Sequence, residues 1–312
     1  MIHILFENDA WLPPLEAALQ GAGLPYTLHF TEGGTLDLAE PPPEGVFINR
    51  MSPSSHTRGH QGGVRFLEEY LGHLEAHGRP VINGSAAFAL ELSKVKQDLA
   101  LRRFGILTPR TIAVVGREGL KAAARRMELP FITKHNQGGK GLGVKLFRDL
   151  EAFDAYVDSE DFIDDPGGVN ILQQYIEPQE PHITRIELVD GELVYAMNSS
   201  TEDGFELCPA VECAADDAFC PVGDSGKFSL NTTVAGDDAL VERYRELMAH
   251  YELQVAGIEY VTGKDGLRYT YDINGTTNFN EDVEAAAKTE GMAFVAALAG
   301  RLLAEVEVRA AK

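Results

Sequence analysis

Cysteine is scarce in this 312-residue sequence, and so is tryptophan. The three cysteines are Cys208, Cys213 and Cys220; they lack Cys-x-x-Cys spacing, and the segment around them contains no histidine. Zinc sites need paired cysteine or histidine ligands, so this pattern does not predict one. An odd number of cysteines in a reducing compartment instead indicates free thiols that pack as small apolar groups.

Long apolar runs are also missing. No stretch of about 18 apolar residues occurs, which excludes a membrane-spanning helix. The chain starts directly with a strand-like segment, Ile2–Phe6, without a basic start or the apolar core of a signal peptide. We therefore expect a cytoplasmic protein.

Basic residues are the third deficit. Lysine and arginine number 27 against 48 aspartates and glutamates, a formal net charge of −21. Nucleic acids and anionic membranes bind basic surfaces, so we expect neither as a partner. A chain of 312 residues is long enough for two or three domains and a sizeable core.

A hairpin near the C-terminus carries a candidate metal site. Residues 255–261 and 267–275 are rich in β-branched and aromatic residues, and glycines bound the turn between them. Pairing these strands brings Glu259 near Asp272 and Asn274, which share one face because they are two residues apart. Two carboxylates and an amide oxygen suit Mg²⁺ when phosphate and water supply the other ligands. An ordinary hairpin with a polar outer face is the alternative.

A glycine-rich loop upstream is a candidate phosphate cradle. An apolar run, residues 131–133, leads to Lys134, and four glycines follow before the next strand at residue 144. Glycines allow backbone N–H groups to approach phosphate oxygens closely, and Lys134 adds a positive charge. The segment is neither a Walker loop nor a dinucleotide-binding fingerprint, because a strand follows it instead of a helix.

The first 92 residues alternate strands with helices, a pattern typical of a small parallel sheet. The third strand ends in Arg50, close to His56 and Arg58. Ligands of open α/β sheets bind at the carboxyl ends of the strands, so Arg50 and Arg58 are candidate substrate contacts. The alternative is that these groups cap a helix or decorate a loop.

Across residues 80–300 the chain resembles the ATP-grasp ligases, and within them the RimK-type glutamate ligases. The motifs that carry the resemblance occur in the family's order. They are Pro80-Val-Ile-Asn-Gly84, Ser93-Lys-Val-Lys96, Gly105-Ile-Leu-Thr-Pro109, Lys134 with its loop, Leu172-Gln-Gln-Tyr-Ile176, Ile183-Thr-Arg185, Gly257-Ile-Glu259 and Asp272-Ile-Asn274.

The resemblance implies a role for each matching residue. Lys94 is expected to contact the nucleotide, with Lys96 as an alternative, and Arg185 to stabilise charge on the phosphoryl group and the acyl phosphate. An ion pair of Arg185 with Glu187 or Glu192 is the alternative to that role. The expected ATP contacts are Lys94, Lys134, Gly138, Gly139, Gly141, Gly143, Gln173, Gln174, Tyr175 and Ile176. The family has Glu where this chain has Gln174. The metal ligands are Glu259, Asp272 and Asn274, and the candidate substrate contacts near the C-terminus are Asn278 and Asn280.

The implied architecture is α/β and α+β, an ATP-grasp fold preceded by a parallel-sheet domain. We divide the chain into an N-terminal domain (1–92), a subdomain with the glycine loop (93–179) and a C-terminal subdomain with the metal site (180–312). Residues 86–104 are predicted to form one long helix or a broken pair. Residues 281–305 are predicted to form a single alanine-rich helix.

The implied activity joins a carboxylate to an amine with ATP and Mg²⁺, or Mn²⁺ in its place, through an acyl phosphate. The substrates are expected to be small molecules or peptides, and the family is commonly dimeric or tetrameric. Two other functions stay open: a small-molecule kinase on the same fold, and a nucleotide-binding regulatory protein without turnover.

Overall fold

The computed structural model of the protein describes residues 1–138, 144–201 and 227–311. In this part of the chain three sheets follow one another, and helices pack on each of them. No helix within these ranges is long and apolar enough to cross a membrane.

The first sheet is parallel, as the alternating pattern predicts. Its strand order is β2-β1-β3-β4, and Phe6 of β1 lies beside Arg50 of β3 at the carboxyl edge. Helices α1 and α9 cover one face of the sheet and α2 covers the other. The elements of this region are β1 (Ile2–Phe6), α1 (Pro13–Gly21), β2 (Tyr26–Phe30), β3 (Val46–Arg50), α2 (Gln61–Ala76), β4 (Val81–Ile82) and α3 (Ser85–Glu91).

The second sheet is antiparallel, with strand order β5-β8-β6-β7. Phe153 meets Phe131 and Phe147 edge to face, and the three rings lie in the core of this sheet. Helix α4 precedes the sheet and contacts the third sheet instead. The bounds are α4 (Lys94–Arg103), β5 (Thr111–Val115), α5 (Leu120–Ala124), β6 (Phe131–His135), β7 (Lys145–Phe147), α6 (Leu150–Asp158) and β8 (Val169–Gln174).

The third sheet is antiparallel, with strand order β11-β10-β9-β12-β13. One face packs on α3, α4 and α7, and Ile273 is buried there. The other face packs on α9 at the Val189 and Val255 end. The bounds are β9 (His182–Val189), β10 (Glu192–Ser200), β11 (Phe228–Leu230), α7 (Ala239–His250), β12 (Val255–Thr262), β13 (Arg268–Asn274), α8 (Glu281–Ala287) and α9 (Gly291–Ala310).

Asn83 joins the first sheet to the third. Its side-chain oxygen accepts hydrogen bonds from the backbone N–H groups of Gln254 (2.9 Å) and Val255 (3.0 Å). Its amide nitrogen donates to the carbonyl oxygens of Val255 (2.8 Å) and Gly275 (2.9 Å). Asn83 has a positive φ of 57°, a conformation that asparagine adopts more readily than most residues.

The structure decides between the two alternatives for one predicted helix and contradicts the prediction of another. The predicted helix over residues 86–104 is a pair, broken where Ser93 caps α4 by accepting a hydrogen bond from the N–H of Lys96. The predicted single helix over residues 281–305 is wrong. It divides into α8 and α9 because Lys288 takes a left-handed conformation (φ 55°) and ends α8. The domain divisions after residues 92 and 179 stay predictions.

Candidate active site

The candidate metal ligands lie on one face of the third sheet. Glu259 of β12 pairs in register with Asp272 of β13 on one side and with Arg185 of β9 on the other. Asn274 lies opposite Gly257 in the next row. This arrangement is the one the hairpin pattern predicts. The face is apolar where it packs on α9 and becomes charged towards this row.

Arg185 is held by three oxygens. Its Nε donates to Glu187 Oε1 (2.6 Å), Nη1 to Glu259 Oε1 (2.8 Å) and Nη2 to Thr277 Oγ1 (2.8 Å). Only 4% of the residue is exposed. Burial by itself would lower the pKa of Arg185, but the carboxylates of Glu187 and Glu259 outweigh burial and raise it. The guanidinium is therefore charged at any physiological pH. The ion pair with Glu187, the structural alternative raised above, is present together with the contact to Glu259.

Gly257 provides the space that the Arg185 side chain occupies. A Cβ on Gly257 would overlap Nη2 and lie only 2.5 Å from Cζ and 2.6 Å from Nε of Arg185. A side chain on β12 at this position would displace the guanidinium. The glycine of the Gly257-Ile-Glu259 motif thus permits a cation to lie flat over the strand.

Lys94 of α4 reaches the row of Arg185, Glu259 and Asp272 and forms an ion pair with Asp272. Burial raises the pKa of Asp272, but Lys94 and Lys134 outweigh burial and lower it. The helix is held in place by Gln97, whose amide nitrogen donates to Ile273 O (2.8 Å) and whose oxygen accepts from Ile273 N (3.0 Å). Lys96, the alternative nucleotide contact, is exposed on the same helix.

Lys134 arrives from β6 of the second sheet and is 6% exposed. Its ammonium donates to Tyr271 O over 3.4 Å and lies 5.5 Å from the centre of the Tyr271 ring. Burial, followed by the charge of Lys94, lowers the pKa of Lys134 to about 7. The neighbouring positive charges of Lys94 and Lys134 repel each other, and a bound phosphate would reduce this repulsion.

The start of the glycine loop is held by hydrogen bonds of Asn136 and Asp165. The backbone carbonyl oxygen of Asn136 accepts a hydrogen bond from the backbone N–H of Lys94 (3.1 Å). Its side-chain oxygen Oδ1 accepts from the backbone N–H of Val95 (3.0 Å). Asp165 Oδ1 accepts from Gln137 N (2.7 Å). The loop and the N-terminus of α4 are thereby connected. Gly138 follows, whereas Gly139, Gly141 and Gly143 lie outside the described residues, as do the three cysteines.

The predicted adenine hinge comes at the end of β8. Gln173 is buried and donates through Nε2 to Thr111 Oγ1 (3.0 Å). The backbone N–H of Gln174 donates to Arg110 O (2.8 Å), and that of Tyr175 donates to Pro130 O (3.3 Å). Ile176 packs near Gly263 at the junction with the third sheet. Nucleotide contacts by these four residues stay a prediction.

The candidate substrate residues have partners within the protein. Arg50 is buried and donates to Thr277 O (2.8 Å) and to Asn278 Oδ1, which joins the first sheet to the turn after β13. Burial lowers the pKa of Arg50 to about 10. Arg58 pairs with Glu7 and covers the Trp11 ring.

Asn280 caps α8 by accepting from Val283 N at 3.0 Å, and its own N–H donates to Tyr195 OH at 2.8 Å. The structure thus gives Arg50, Arg58, Asn278 and Asn280 roles in packing. Their contacts with substrate stay predictions.

The donor set fits a hard divalent cation bound together with phosphates. Within the described ranges no group of three or more histidine, cysteine, aspartate or glutamate side chains is arranged to hold a metal. Glu259, Asp272 and Asn274 provide two carboxylates and one amide, so the remaining ligands would be phosphate oxygens and water. Mg²⁺ binds in this way in phosphoryl-transfer sites.

Several residues that build the site were missed by sequence reasoning. They share a polar side chain that bonds to a distant part of the chain, and they are Asn83, Gln97, Asn136, Glu187 and Thr277. Glu187 was considered only as a structural partner of Arg185. Its signal was present, since a glutamate two residues after Arg185 in a strand must share its face.

The three sheets and their helices form an ATP-grasp fold. Residues 92–206 match the family model described as a RimK-like ATP-grasp domain. This part of the chain is therefore similar to RimK-like ATP-grasp domains, and the predicted resemblance and the ATP-grasp fold are confirmed. No curated protein matches the chain in sequence.

Solved structures share the fold along almost the whole chain. A RimK-domain ATP-grasp protein from Sphaerobacter thermophilus DSM 20745 is 17% identical with a TM-score of 0.64, over 95% of this chain and 98% of that one. D-cycloserine synthetase DcsG is 20% identical with a TM-score of 0.66, over 97% and 100%. Macrocyclase MdnC from Microcystis aeruginosa MRC, bound with precursor peptide MdnA, is 14% identical with a TM-score of 0.61, over 95% and 99%.

Proposed function

We propose that the protein is an ATP-dependent carboxylate–amine ligase that forms an amide through an acyl phosphate. One observation carries the proposal. Lys94 and Lys134 converge with Arg185 on the strand face that presents Glu259, Asp272 and Asn274. Cations from three different elements meet a hard-ligand set, as transfer of a phosphoryl group requires.

In the first step an oxygen of the substrate carboxylate attacks the γ-phosphorus of ATP, and the bond from phosphorus to the ADP oxygen breaks. Lys94 and Lys134 would hold the phosphate oxygens, with the start of the glycine loop fixed beside them. Mg²⁺ or Mn²⁺, held by Glu259, Asp272 and Asn274, would supply charge compensation when bound.

In the second step the amine nitrogen attacks the acyl carbon, phosphate departs with the bonding electron pair, and the amine loses a proton to solvent. Arg185 would stabilise the negative charge that develops on the acyl oxygen. The guanidinium suits this role because it is permanently charged and fixed by three partners.

Two similar proteins suggest the range of substrates. One makes D-cycloserine, a small molecule, and the other is a macrocyclase bound with a precursor peptide. We propose an amino acid or a peptide as the carboxylate substrate, and a cytoplasmic location for the reaction.

A single screen tests the ligase. Phosphate release from ATP and Mg²⁺ is measured against pooled amino acids and short peptides, with mass spectrometry of the products. We expect an amide and one phosphate per amide, abolished in Asp272→Ala. A phosphorylated product without free phosphate would indicate the kinase. Binding of ATP without turnover across the screen would leave the regulatory protein as the better description.

A further inference from the structure

Glu187 is a buried carboxylate that the proposed reaction does not use. None of its surface is exposed, and it lies on the charged face of the third sheet between Gly257 of β12 and Tyr195 of β10. A buried carboxylate is unfavourable unless it is paired and hydrogen-bonded. Its presence beside Arg185 and Glu259 therefore needs a physical explanation.

The contacts of Glu187 are one-sided. Oε1 accepts from Arg185 Nε (2.6 Å) and from Thr277 Oγ1 (2.9 Å). Oε2 is buried without a hydrogen-bond partner among the described residues. All of the pairing of this carboxylate is thus directed at one edge of the Arg185 guanidinium.

Thr277 completes the arrangement. Its hydroxyl accepts from Arg185 Nη2 (2.8 Å) and donates to Glu187 Oε1 (2.9 Å). Glu187 and Thr277 therefore occupy two of the three guanidinium nitrogens. The third, Nη1, reaches Glu259 with a single hydrogen bond to Oε1.

Arg185 and Glu259 are direct neighbours on adjacent strands. A guanidinium facing a carboxylate favours two parallel hydrogen bonds, because this geometry matches both groups. Such a pair would occupy both oxygens of Glu259. It would compete with any cation for the same ligand.

We infer that Glu187, with Thr277, is a positioning residue that prevents Arg185 from forming a two-point pair with Glu259 and so keeps Glu259 available to a divalent cation. The inference rests on the proposed metal role of Glu259. It assigns to Glu187 a task that an apolar strand residue could not perform.

The test measures the cation separately from turnover. Mn²⁺ is titrated into the full-length protein with AMP-PNP, and water-proton relaxation reports the protein-bound Mn²⁺. Glu187→Leu is expected to lower Mn²⁺ affinity by about 10-fold or more, as loss of groups that orient a ligand does. AMP-PNP binding without metal should change far less. Thr277→Val should lower Mn²⁺ affinity by a smaller factor.

Matched variants keep the test decisive. Glu187→Gln retains the shape and the accepting oxygen but not the charge, and its Mn²⁺ affinity is expected between those of wild type and Glu187→Leu. It remains informative if Glu187→Leu fails to fold. Glu192→Gln makes the same charge change at an exposed position of the neighbouring strand and should bind Mn²⁺ like wild type.

Glu259→Gln separates the two proposals. If it binds Mn²⁺ with AMP-PNP as wild type does, the metal role of Glu259 fails, and this inference fails with it. If Glu259→Gln loses Mn²⁺ while both Glu187 variants bind it like wild type, only the positioning role of Glu187 is overturned. A Glu187 variant that loses thermal stability but keeps wild-type Mn²⁺ affinity would also overturn it.

Discussion

The backbone of Gly257 lies beneath the guanidinium of Arg185, in space that a Cβ would fill. The two residues belong to neighbouring strands, so the glycine determines where the arginine side chain can lie. Arg185 in turn contacts Glu259 and Glu187 from that place. Removing the space should therefore change the site more than the fold.

Gly257→Ala is expected to displace Arg185 and reduce ligation at least 10-fold, because a preorganised cation contributes on that scale to stabilising developing charge. Overpacking should cost about 1–3 kcal/mol of unfolding free energy. Turnover and urea unfolding measure the two effects.

Gly72→Ala is the control. Gly72 lies within α2 with no atom near its Cβ position, so alanine there should leave turnover unchanged and stability equal or higher. Wild-type turnover in Gly257→Ala would contradict the role of this space.

Lys94 and Lys96 are distinguished by their surroundings. Lys94 pairs with Asp272 in the site, whereas Lys96 is exposed to solvent. Lys94→Met should weaken binding of Mg²⁺ and AMP-PNP by about 10-fold, the size of one charge-assisted hydrogen bond. Lys96→Met should not. Calorimetric titration of both variants decides between them, and a larger loss in Lys96→Met would reverse the assignment.

Gln97 is expected to be important for stability although it touches no substrate group. Gln97→Met leaves both backbone groups of Ile273 without their side-chain partner. Two lost hydrogen bonds predict a loss of about 2–4 kcal/mol in unfolding free energy. Lys96→Met, one residue away on the same helix, shows what a methionine costs without these bonds. Equal stability of the two variants would refute the prediction.

Glu91 should make stability depend on pH. It is 6% exposed, accepts from Thr276 N (2.8 Å), and burial raises its pKa from 4.5 to about 7, although Thr276 and Arg50 act in the opposite direction. The folded protein then holds the proton more tightly than the unfolded chain does. Stability is therefore lost as pH rises from about 4.5 through 7.

Glu91→Gln removes this dependence while retaining an accepting oxygen. Its unfolding free energy should exceed that of wild type increasingly between pH 5 and 8, by about 3 kcal/mol at most for the full shift. Urea unfolding at several pH values measures the difference. Glu118→Gln, at an exposed position, should follow wild type throughout. A difference between wild type and Glu91→Gln that does not change with pH would exclude a raised pKa.

Local patterns were sufficient to predict that Glu259, Asp272 and Asn274 lie close together on one face of the sheet. Turn chemistry and the two-residue period of a strand determine both the partners and the face. The long-range bonds of Gln97 and Asn83 were not predictable in this way. Each joins a side chain to backbone more than 170 residues away. No local periodicity encodes such a pair.

The break between α8 and α9 shows a different limit. Alanine-rich composition favours one continuous helix. The structure instead ends α8 at Lys288, and Glu284 accepts a hydrogen bond from Gly291 N (2.5 Å) where the next helix begins. The local preference for a helix is correct on both sides of the break. The left-handed conformation of Lys288 ends α8, and the bond from Gly291 N to Glu284 accompanies the break.

Asn83 has a mechanical consequence. The Asn83 side chain, in the loop after β4, bonds to Val255 of β12 and to Gly275 directly after β13. We therefore expect the first and third sheets to move as one body. Any opening that admits ATP then falls to the second sheet, which carries Lys134 and the glycine loop. The nucleotide would be enclosed by movement of the second sheet relative to the first and third sheets.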